Sequence, residues 1–323
     1  MTAGHTSVCA VIVSHEPDPE RLRGLLTRVR GQVRNVVVVD NGPGDDARRA
    51  AVDLGAVTLR QPGNIGLAAA ANRGISWARE HGSTHVLLLD QDSWPEPDMV
   101  ARLAEALATM SARAPVAAVG PRQLDPRTGE SAPFIEVAFP VSRKLHCSEG
   151  VVRCDFLIAS GSLIPLAVLE DVGDMDDRLF IDNVDLDWCF RARARGYALY
   201  GVGEARMEHL LGDRRVRLLG GRIRVAQHRP QRLYFVMRNR LAMYRRPHTP
   251  RAWVAQDAPR ILVKLVLFGV LVGPRRANVL YMLWGLWDGL RGVTGSGPRT
   301  GRHGRGAAAV VVPRSTPSRV AGR

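Results

Sequence analysis

Short apolar runs rich in β-branched residues alternate with helix-like stretches over the first 120 residues, and this alternation constrains the fold more than any other feature. The runs are apolar on both faces, as are strands buried in the middle of a parallel sheet. We therefore predict a doubly wound α/β sheet whose ligands bind beyond the carboxyl ends of its strands. The predicted strands are Val8–Ser14, Asn35–Asp40, Ala56–Arg60, His85–Asp90 and Val116–Gly120, and the predicted helices are Pro19–Arg30, Asp45–Leu54, Gly66–His81 and Pro97–Ala112.

The pattern becomes less regular after residue 120. Proline, glycine and polar residues from Arg122 to Asp155 predict long loops or a hairpin that reaches over the ligand-binding edge. Regular structure returns with a predicted helix at Leu166–Val172, a helix that starts near Asp185 and a strand at Ala198–Val202. The whole chain of 323 residues is long enough for one large domain or two modest ones.

Basic residues are concentrated in the last third of the chain. The net charge is +14, but residues 1–200 contain 21 basic and 26 acidic residues, whereas residues 201–323 contain 24 and 5. A basic balance is typical of proteins that contact nucleic acid or an anionic membrane surface. Because the excess is confined to one part of the chain, the composition disfavours a protein that coats nucleic acid uniformly.

Two carboxylates follow a predicted buried strand with one residue between them, in Leu87-Leu-Leu-Asp90-Gln-Asp92. Hard cations such as Mg²⁺ and Mn²⁺ prefer oxygen ligands and bridge readily to phosphate oxygens. Asp90 and Asp92 at the ligand-binding edge are therefore suited to a metal–diphosphate group. The alternative is a solvated loop that caps the helix starting near Pro97.

A second acidic cluster comprises Asp182, Asp185 and Asp187, at the predicted N-terminus of a helix. Helix capping and the helix dipole account for one or two of these carboxylates. A third could act as a general base that deprotonates an incoming hydroxyl. His209 is a further candidate, either as a structural histidine or as a neutral imidazole that completes a coordination sphere begun by Asp92.

Motifs of several other enzyme classes do not occur in the sequence. No G-x-G-x-x-G follows the first strand, and neither a G-x-x-x-x-G-K-[ST] phosphate loop nor a G-x-S-x-G nucleophile elbow is found. These absences disfavour a dinucleotide dehydrogenase, a P-loop NTPase and an α/β-hydrolase. The four cysteines lack zinc-site spacing, so we expect reduced thiols in a cytosolic protein that has no signal peptide.

Nine stretches of the chain occur in an order typical of one enzyme family. They are Val11–Pro17, Val38–Gly42, Asn64–Gly74, Asp90–Asp92, Ser160–Gly161, Phe180–Arg191, His209–Gly212, Tyr234–Asn239 and Gly285–Gly292. In this order, over about residues 8–292, the chain resembles the family 2 inverting glycosyltransferases with the GT-A fold, and most closely their bacterial rhamnosyltransferase branch. The resemblance implies an α/β, Rossmann-like, mostly parallel sheet flanked by helices, with a C-terminal helical, basic, membrane-proximal extension.

The resemblance also implies roles for individual residues. The metal, Mg²⁺ or Mn²⁺, would be bound by Asp90, Asp92 and His209. The nucleotide-sugar donor would be bound by His15, Asp40, Asn41, Asn64, Gly66, Asn72, Asp90 and Gln91. Within this set, Asp40 would contact the base, and the nucleoside would lie beside Asn64, Gly66 and Asn72. The acceptor would be bound by Asp182, Trp188, Arg191 and Arg238.

The implied reaction is one displacement at the anomeric carbon of a sugar. With dTDP-β-L-rhamnose it would give an α-L-rhamnoside on a cell-envelope polysaccharide or a polyprenyl-diphosphate-linked acceptor. Asp185 aligns best with the catalytic base of the family, and Asp187 would assist it or bind the acceptor. Because Val184 replaces the glutamate of the commoner Glu-Asp pair, the base is left open among Asp182, Asp185 and Asp187.

Several other functions are alternatives. The same fold could use another nucleotide sugar, such as a galactofuranosyl donor, and a nucleotidyltransferase would release diphosphate instead of a nucleoside diphosphate. A catalytically inactive envelope scaffold would bind a donor without turnover. A basic nucleic-acid-binding module would leave the ordered acidic motifs unexplained, so we expect no nucleic-acid partner.

The chain is divided by these motifs into a catalytic domain and two basic segments. We expect a GT-A domain over residues 1–212, a helical extension over residues 213–292 and a disordered basic tail over residues 293–323. Within the domain, the nucleotide-sugar half covers about residues 1–120 and the acceptor half about residues 121–212.

The helical extension also carries the expectations about location. As a helix, Ile261–Val272 would be about 18 Å long, too short to cross roughly 30 Å of hydrocarbon. Trp284 and Trp287 beside basic residues suit a helix at a membrane interface, with core packing or a contact in a homo-oligomer as alternatives. We expect a cytoplasmic enzyme, peripheral on the inner face of the cell membrane and in contact with anionic lipid.

Overall fold

A mixed sheet of nine strands forms the centre of the computed structural model, which describes residues 6–209, 214–218, 223–227 and 229–297. The strands, numbered in chain order, are β1 Val8–Ser14, β2 Asn35–Asp40, β3 Val57–Arg60, β4 His85–Asp90, β5 Trp94–Pro95, β6 Val116–Leu124, β7 Phe134–Glu136, β8 Arg143–Leu145, β9 Val151–Cys154, β10 Leu163–Pro165, β11 Ala198–Glu208, β12 Arg214–Leu218 and β13 Ile223–Gln227. The sheet has the order β3-β2-β1-β4-β10-β6-β11-β5, and β9 pairs with β11.

The first strands are parallel, and their carboxyl ends meet at one edge. In the register of β1 with its two neighbours, Ser14 lies opposite Asp40, and Val13 lies opposite Asp90. Three polar strand ends are thereby placed side by side, as expected for an α/β sheet that binds ligand at this edge.

The short strand β10 runs antiparallel between β4 and β6, where Leu163 pairs with both Leu87 and Val119. This reversal brings the residues just before β10 to the ligand-binding edge. There the Ser160 hydroxyl accepts a hydrogen bond from the Asp90 amide at 3.1 Å. The end of β4 is thus fixed by a residue 70 positions away in the chain.

Helices cover both faces of the sheet. Two separate apolar clusters lie on its two sides: α3, α5 and α6 contribute to one, and α1, α2 and α4 contribute to the other. The helices are α1 Pro19–Arg30, α2 Asp46–Val52, α3 Leu67–Glu80, α4 Met99–Ser111, α5 Leu166–Val172, α6 Val184–Ala194, α7 Pro230–Tyr244, α8 Arg251–Val266 and α9 Arg275–Leu290, with a 3₁₀ turn at Asp177–Leu179 and a π-helical turn at Leu267–Leu271.

The C-terminal helices form a compact extension around α7. Helix α9 approaches α7 closely at Gly285, where an added Cβ would lie 2.3 Å from the Tyr234 carbonyl oxygen. The Tyr234 hydroxyl donates to Asp288 at 2.8 Å across the same interface. None of the helices in the described part of the chain is both long and apolar enough to cross a membrane.

The observed elements agree closely with the sequence predictions in the first 120 residues. Differences lie in the lengths of two strands, since β6 continues to Leu124 and β11 to Glu208. The loop region before Asp155 contains the β7–β8 hairpin. The β12–β13 hairpin in the arginine-rich region was not predicted. The expected domain boundary at residues 212 and 213 lies outside the described residues, as does most of the predicted basic tail, residues 298–323.

Candidate active site

Three predicted metal ligands converge at the ligand-binding edge. Asp90 ends β4, Asp92 follows two residues later, and His209 comes directly after β11. The His209 amide donates to the Leu124 carbonyl at 3.0 Å, which continues the pairing of β11 with β6. One ligand atom from each of the three side chains lies within 4.8 Å of the other two.

The donor set of this cluster fits a divalent cation. Two carboxylates and one imidazole suit Mg²⁺ or Mn²⁺, and two neighbouring negative charges favour a cation between them. His209 Nε2 lies 3.9 Å from Asp90 Oδ2, too far for a hydrogen bond. His209 Nδ1 is buried and has no hydrogen-bond partner among the described residues. The backbone of His209 is therefore fixed by strand pairing, whereas its ring remains available to bind a metal ion.

A cleft of about 340 Å³ opens beside this cluster, lined by Asp18, Arg21, Gln91 and Asp92. The Gln91 side chain accepts a hydrogen bond from the His15 amide at 2.7 Å. This bond joins the residue after β1 to the Asp-x-Asp segment. The cleft thus lies between the end of β4 and the start of α1.

A network of asparagines orders the loop after β2. The Asn41 side chain donates to Asn64 Oδ1 at 3.1 Å and accepts from the Ile65 amide at 2.8 Å. The His15 ring lies 3.0 Å from the Asn41 carbonyl oxygen. Four of the predicted donor-binding residues, including Gly66, whose amide donates to Asn64 at 2.9 Å, are therefore mutually connected.

Asp40 ends β2 in an almost fully buried position, 2% exposed. One carboxylate oxygen accepts from the Gly42 amide at 3.3 Å, whereas the other has no hydrogen-bond partner among the described residues. Burial raises the pKa of Asp40 above its usual value. A buried carboxylate oxygen without a partner is costly unless a ligand supplies a donor.

Gly66 contacts the loop that precedes α6. Its φ is +93°, and an added Cβ would lie 2.8 Å from the Phe180 carbonyl oxygen. The same oxygen accepts from the Leu67 amide, at the start of α3, at 2.7 Å. Only glycine allows this approach, so Gly66 links the donor side of the site to the Phe180 loop.

Asp185 lies in the first turn of α6, near the metal-ligand cluster. Its Oδ1 accepts from the Leu186 amide at 2.8 Å, and the Ala159 backbone also hydrogen-bonds to its carboxylate. Burial raises the pKa of Asp185, and the negative charges of Asp182 and Asp90 raise it further. A carboxylate with a raised pKa is a stronger proton acceptor than an ordinary aspartate.

Asp182 precedes Asp185 in a segment with unusual backbone geometry. Phe180, Asp182 and Asn183 all have positive φ, from +63° to +66°. The Asp182 carboxylate accepts two hydrogen bonds from Arg232 Nε, at 3.1 and 3.2 Å, and one from Arg232 Nη2 at 2.9 Å. The positive charge of Arg232 also acts on Asp90, so α7 contributes a cation to this region.

The remaining predicted site residues lie inside the protein rather than at the open edge. Asp187 is fully buried among cationic partners, and Trp188 donates to the Gly173 carbonyl at 3.0 Å within the core. Arg191 donates to Asp187 at 3.0 Å and to backbone carbonyls at the end of α5 and just after it. The structure does not bring these side chains to the metal-ligand cluster.

Arg238 and Asn72 likewise make internal bonds. Arg238 is 1% exposed and donates to the Leu179 carbonyl at 2.9 Å. The Asn72 side chain donates to the Met175 carbonyl at 2.8 Å and accepts from the Met175 amide at 3.0 Å. Both side chains therefore stabilise the segment between α5 and α6, Asn72 from α3 and Arg238 from α7.

Two residues near the site were not among the predicted ligands. Ser160 appears in the sequence only as part of a Ser-Gly pair, and its contact with Asp90 depends on the reversal of β10. Arg232 lies in an arginine-rich stretch, where neither spacing nor composition distinguishes it from its neighbours.

Comparisons with known proteins agree with this architecture. Residues 9–150 match the model of the family described as Glycosyl transferase family 2. The dTDP-rhamnosyl transferase RfbF of Shigella flexneri is 29% identical over 300 residues, which cover 91% of this chain and 98% of that protein.

Solved glycosyltransferase structures share the fold at low identity. The structure of S. aureus TarS 1–349 in complex with UDP-GlcNAc is 14% identical with a TM-score of 0.57, covering 89% of this chain and 81% of that one. GalNAc-T7 with UDP, GalNAc and Mn²⁺ is 14% identical with a TM-score of 0.53. The match covers 80% of this chain but only 55% of GalNAc-T7. These similarities establish the GT-A fold.

Proposed function

We propose that this chain, a glycosyltransferase, transfers L-rhamnose from dTDP-β-L-rhamnose to a cell-envelope polysaccharide or a polyprenyl-diphosphate-linked acceptor. The donor assignment is supported by the similarity to RfbF, which extends over nearly the full length of both chains. The observation that carries the reaction type is the convergence of Asp90, Asp92 and His209 beside the partly buried Asp185.

The donor would lie along the carboxyl ends of β1, β2 and β4. The unpartnered oxygen of Asp40 is suited to accept a hydrogen bond from the nucleotide base, in a pocket ordered by Asn41 and His15. Asp90, Asp92 and His209 would bind Mg²⁺ or Mn²⁺. When bound, the cation neutralises the charge that develops on the departing diphosphate.

Asp185 would act as the base. Its carboxylate would remove the proton of the acceptor hydroxyl as the new bond to the anomeric carbon forms and the bond to the donor phosphate breaks. The raised pKa favours this proton transfer. Because one displacement occurs, the anomeric configuration would invert, and the nucleoside diphosphate would leave.

A donor panel tests this proposal directly. The full chain is incubated with dTDP-β-L-rhamnose, a UDP-galactofuranose donor and UDP-N-acetylglucosamine, with Mg²⁺ or Mn²⁺, and the nucleotide products are separated. We expect dTDP release with the rhamnosyl donor only. Release of diphosphate would instead indicate a nucleotidyltransferase, and turnover of another sugar would replace the donor assignment. Absence of transfer and hydrolysis with every donor would overturn the enzyme assignment.

We also propose that α8 and α9 contact an anionic membrane. Large apolar side chains on these helices and the π-helical turn between them are from 38% to 67% exposed. These side chains, which we call the apolar face, are those of Leu262, Val263, Val266, Val270, Leu271, Leu280, Leu283, Trp287 and Leu290. On α9 the exposed positions recur every three or four residues, which places them along one side of the helix.

The charges around this apolar face favour an anionic lipid surface over a second copy of the chain. Four exposed arginines occur in the same stretch of the chain: Arg260, Arg275, Arg276 and Arg291. Asp288 is the sole acidic residue of the sequence from residue 258 to 297, and it is buried. Two copies that paired through this face would bring like charges together, whereas phosphate headgroups would neutralise them.

Co-sedimentation with vesicles tests the membrane contact. We expect the protein to bind phosphatidylglycerol-containing vesicles, to bind pure phosphatidylcholine much less, and to lose binding after Leu283→Glu together with Trp287→Glu. Val52→Glu, an exposed apolar position on α2, serves as the control. The alternative outcome is a protein that does not bind anionic vesicles but forms dimers, which the paired substitution dissociates. That result would assign the apolar face to a homo-oligomer instead of a membrane.

A further inference from the structure

The segment Leu179–Asn183, which we call the base loop, connects the 3₁₀ turn to α6 and carries three residues with positive φ. Non-glycine residues rarely adopt this conformation, and surrounding contacts must stabilise it where it occurs. Because α6 begins at Val184, the conformation of the base loop determines where Asp185 lies. The contacts that stabilise this loop therefore matter for the reaction.

Asn239 of α7 makes an unusual set of contacts with the base loop. Its side-chain Nδ2 donates to the backbone carbonyls of three of the five residues of the loop, those of Leu179 at 2.9 Å, Ile181 at 2.7 Å and Asp182 at 2.9 Å. Asn239 is 1% exposed, so water does not compete for these acceptors. One amide group thus bonds to three of the five backbone carbonyls of the loop.

Arg238 orients that amide. Its Nε donates to Asn239 Oδ1 at 3.0 Å, which directs Nδ2 toward the base loop, and its Nη2 donates to the Leu179 carbonyl at 2.9 Å. Burial disfavours the charged form of Arg238 and lowers its pKa. The buried Arg238 guanidinium therefore holds the Asn239 amide and the Leu179 carbonyl in place.

The opposite side of the base loop contacts the donor half of the site. The Phe180 carbonyl accepts from the Leu67 and Ala68 amides at the start of α3, at 2.7 and 3.3 Å. The loop is thus bound on one side by α3 and on the other by α7. The C-terminal extension is thereby connected to the base loop through side chains of α7, among which Asn239 makes bonds to three carbonyls.

We propose that Asn239 is a positioning residue for Asp185, which fixes the base loop in the conformation that presents this carboxylate to the acceptor. The inference rests on the proposed function, in which Asp185 is the base. It assigns the C-terminal extension a part in turnover that is separate from its contact with lipid.

Asn239→Asp tests the proposal because it preserves side-chain size but replaces the donating amide with an accepting carboxylate. Asn278→Asp is the matched control. Asn278 is also 1% exposed, lies in the same extension and donates to the Val272 carbonyl at 2.9 Å, far along the chain from the base loop. Both variants replace a buried amide with a carboxylate in the same extension, so Asn278→Asp reports the effect of that change away from the base loop.

We expect kcat with dTDP-rhamnose to fall about 100-fold in Asn239→Asp, the order of loss that a small displacement of a catalytic group produces. KM for the donor should change far less, and Asn278→Asp should retain kcat. Hydrogen exchange of the peptide covering residues 178–187 should accelerate in Asn239→Asp alone. Equal losses of kcat in both variants, or unchanged exchange of this peptide, would overturn the proposal.

The exchange measurement separates this proposal from the proposed function. If the wild type transfers no sugar, the assignment of the reaction fails, but exchange still reports whether Asn239 orders the loop. Should Asn239→Asp not fold, Asn239→Ser provides a second test, because it introduces no charge and its hydroxyl can donate to one carbonyl of the loop but not to three. It should also lower kcat and accelerate exchange of the loop, and the absence of both effects would contradict the proposal.

Discussion

Asp187 of α6 and Arg246, which follows α7, form an ion pair inside the protein although 59 positions separate them in the chain. The same carboxylate accepts from Arg191 at 3.0 Å and lies 2.7 Å from His248 Nε2. Burial alone would raise the pKa of Asp187, but the bond to His248 and the charges of Arg246 and Arg191 lower it below its usual value. The pair joins α6 to the C-terminal extension.

Removal of the Asp187 charge should destabilise the fold. We expect Asp187→Asn to lower the free energy of unfolding by about 3–5 kcal/mol, because the buried partners lose their counter-charge. Urea denaturation measures the loss. Asp171→Asn, which removes an ion pair with Arg195 that is half exposed, should cost about 0–1 kcal/mol. A stable Asp187→Asn protein without turnover would instead favour Asp187 as the base.

Acid should weaken the same interface. The pKa of Asp176 is also depressed, to about 2, because hydrogen bonds and charges from Arg178 and Arg246 outweigh its burial. A carboxylate with a depressed folded-state pKa stabilises the fold above its unfolded-state pKa of about 4, and this contribution disappears as the pH falls through the folded-state value. We expect the urea concentration at the unfolding midpoint to fall as the pH is lowered from 4 to 2. It should fall less steeply in Asp187→Asn than in the wild type. An identical slope in both proteins would contradict this.

Asp185→Asn should abolish transfer while donor binding persists, because the amide retains the shape of the side chain but cannot accept a proton. Calorimetric titration with dTDP and Mn²⁺ measures binding, and product formation measures turnover. Asp182→Asn provides the comparison and should retain more turnover than Asp185→Asn. Near-normal turnover of Asp185→Asn would move the base to another carboxylate.

Chelation should remove activity reversibly. We expect EDTA to stop turnover and added Mn²⁺ or Mg²⁺ to restore it. Asp92→Asn should weaken binding of Mn²⁺ alone, measured by calorimetry. Asp98→Asn is the control, since its carboxylate is exposed on the same segment and bonds to Arg102 at 2.6 Å instead. Equal Mn²⁺ affinity in both variants would exclude Asp92 as a ligand.

Gly66→Ala should disturb both stability and turnover. Gly66 and Gly173 share nearly the same backbone conformation, with φ and ψ of 93° and 160° in one and 90° and 158° in the other. At Gly66 the new Cβ meets the Phe180 backbone and ring, whereas at Gly173 it meets only the Arg191 side chain, at 3.2 Å. We therefore expect Gly66→Ala to cost about 1–3 kcal/mol more than Gly173→Ala in thermal unfolding. Equal losses of unfolding free energy in the two variants would mean that the base loop shifts to make room for the new Cβ.

The parallel half of the sheet could be predicted from sequence, because buried strands require continuous apolar runs that few other structures tolerate. β1, β2 and β4 begin and end at the predicted residues. The short strand β10 could not be placed in this way, since three residues have no periodicity and their pairing depends on distant partners. The location of the Asp-x-Asp segment at the ligand-binding edge could also be predicted, because the segment lies at the end of β4.

Residue roles were harder to predict than elements. The sequence of α7 does not distinguish an arginine that binds a ligand from one that bonds to backbone carbonyls inside the protein, and Arg238 is the second kind in the structure. Likewise, three carboxylates lie in and just before the first turn of α6, and the sequence does not distinguish their roles. Their burial and partners differ, and only tertiary contacts separate Asp185, near Asp90, from Asp187, among arginines.

The position of β10 has a consequence for recombination between relatives. This strand comes from beyond residue 150, where the matched family segment ends, yet it lies between two strands that precede that residue. A hybrid joined at residue 150 would exchange one partner in four strand pairings at once, those of β10 with β4 and β6 and those of β11 with β5 and β6. It would also combine the carboxylates of one parent with the histidine of the other. We therefore expect donor preference to pass from one such enzyme to another when the exchanged segment includes the whole sheet, from β1 to β11.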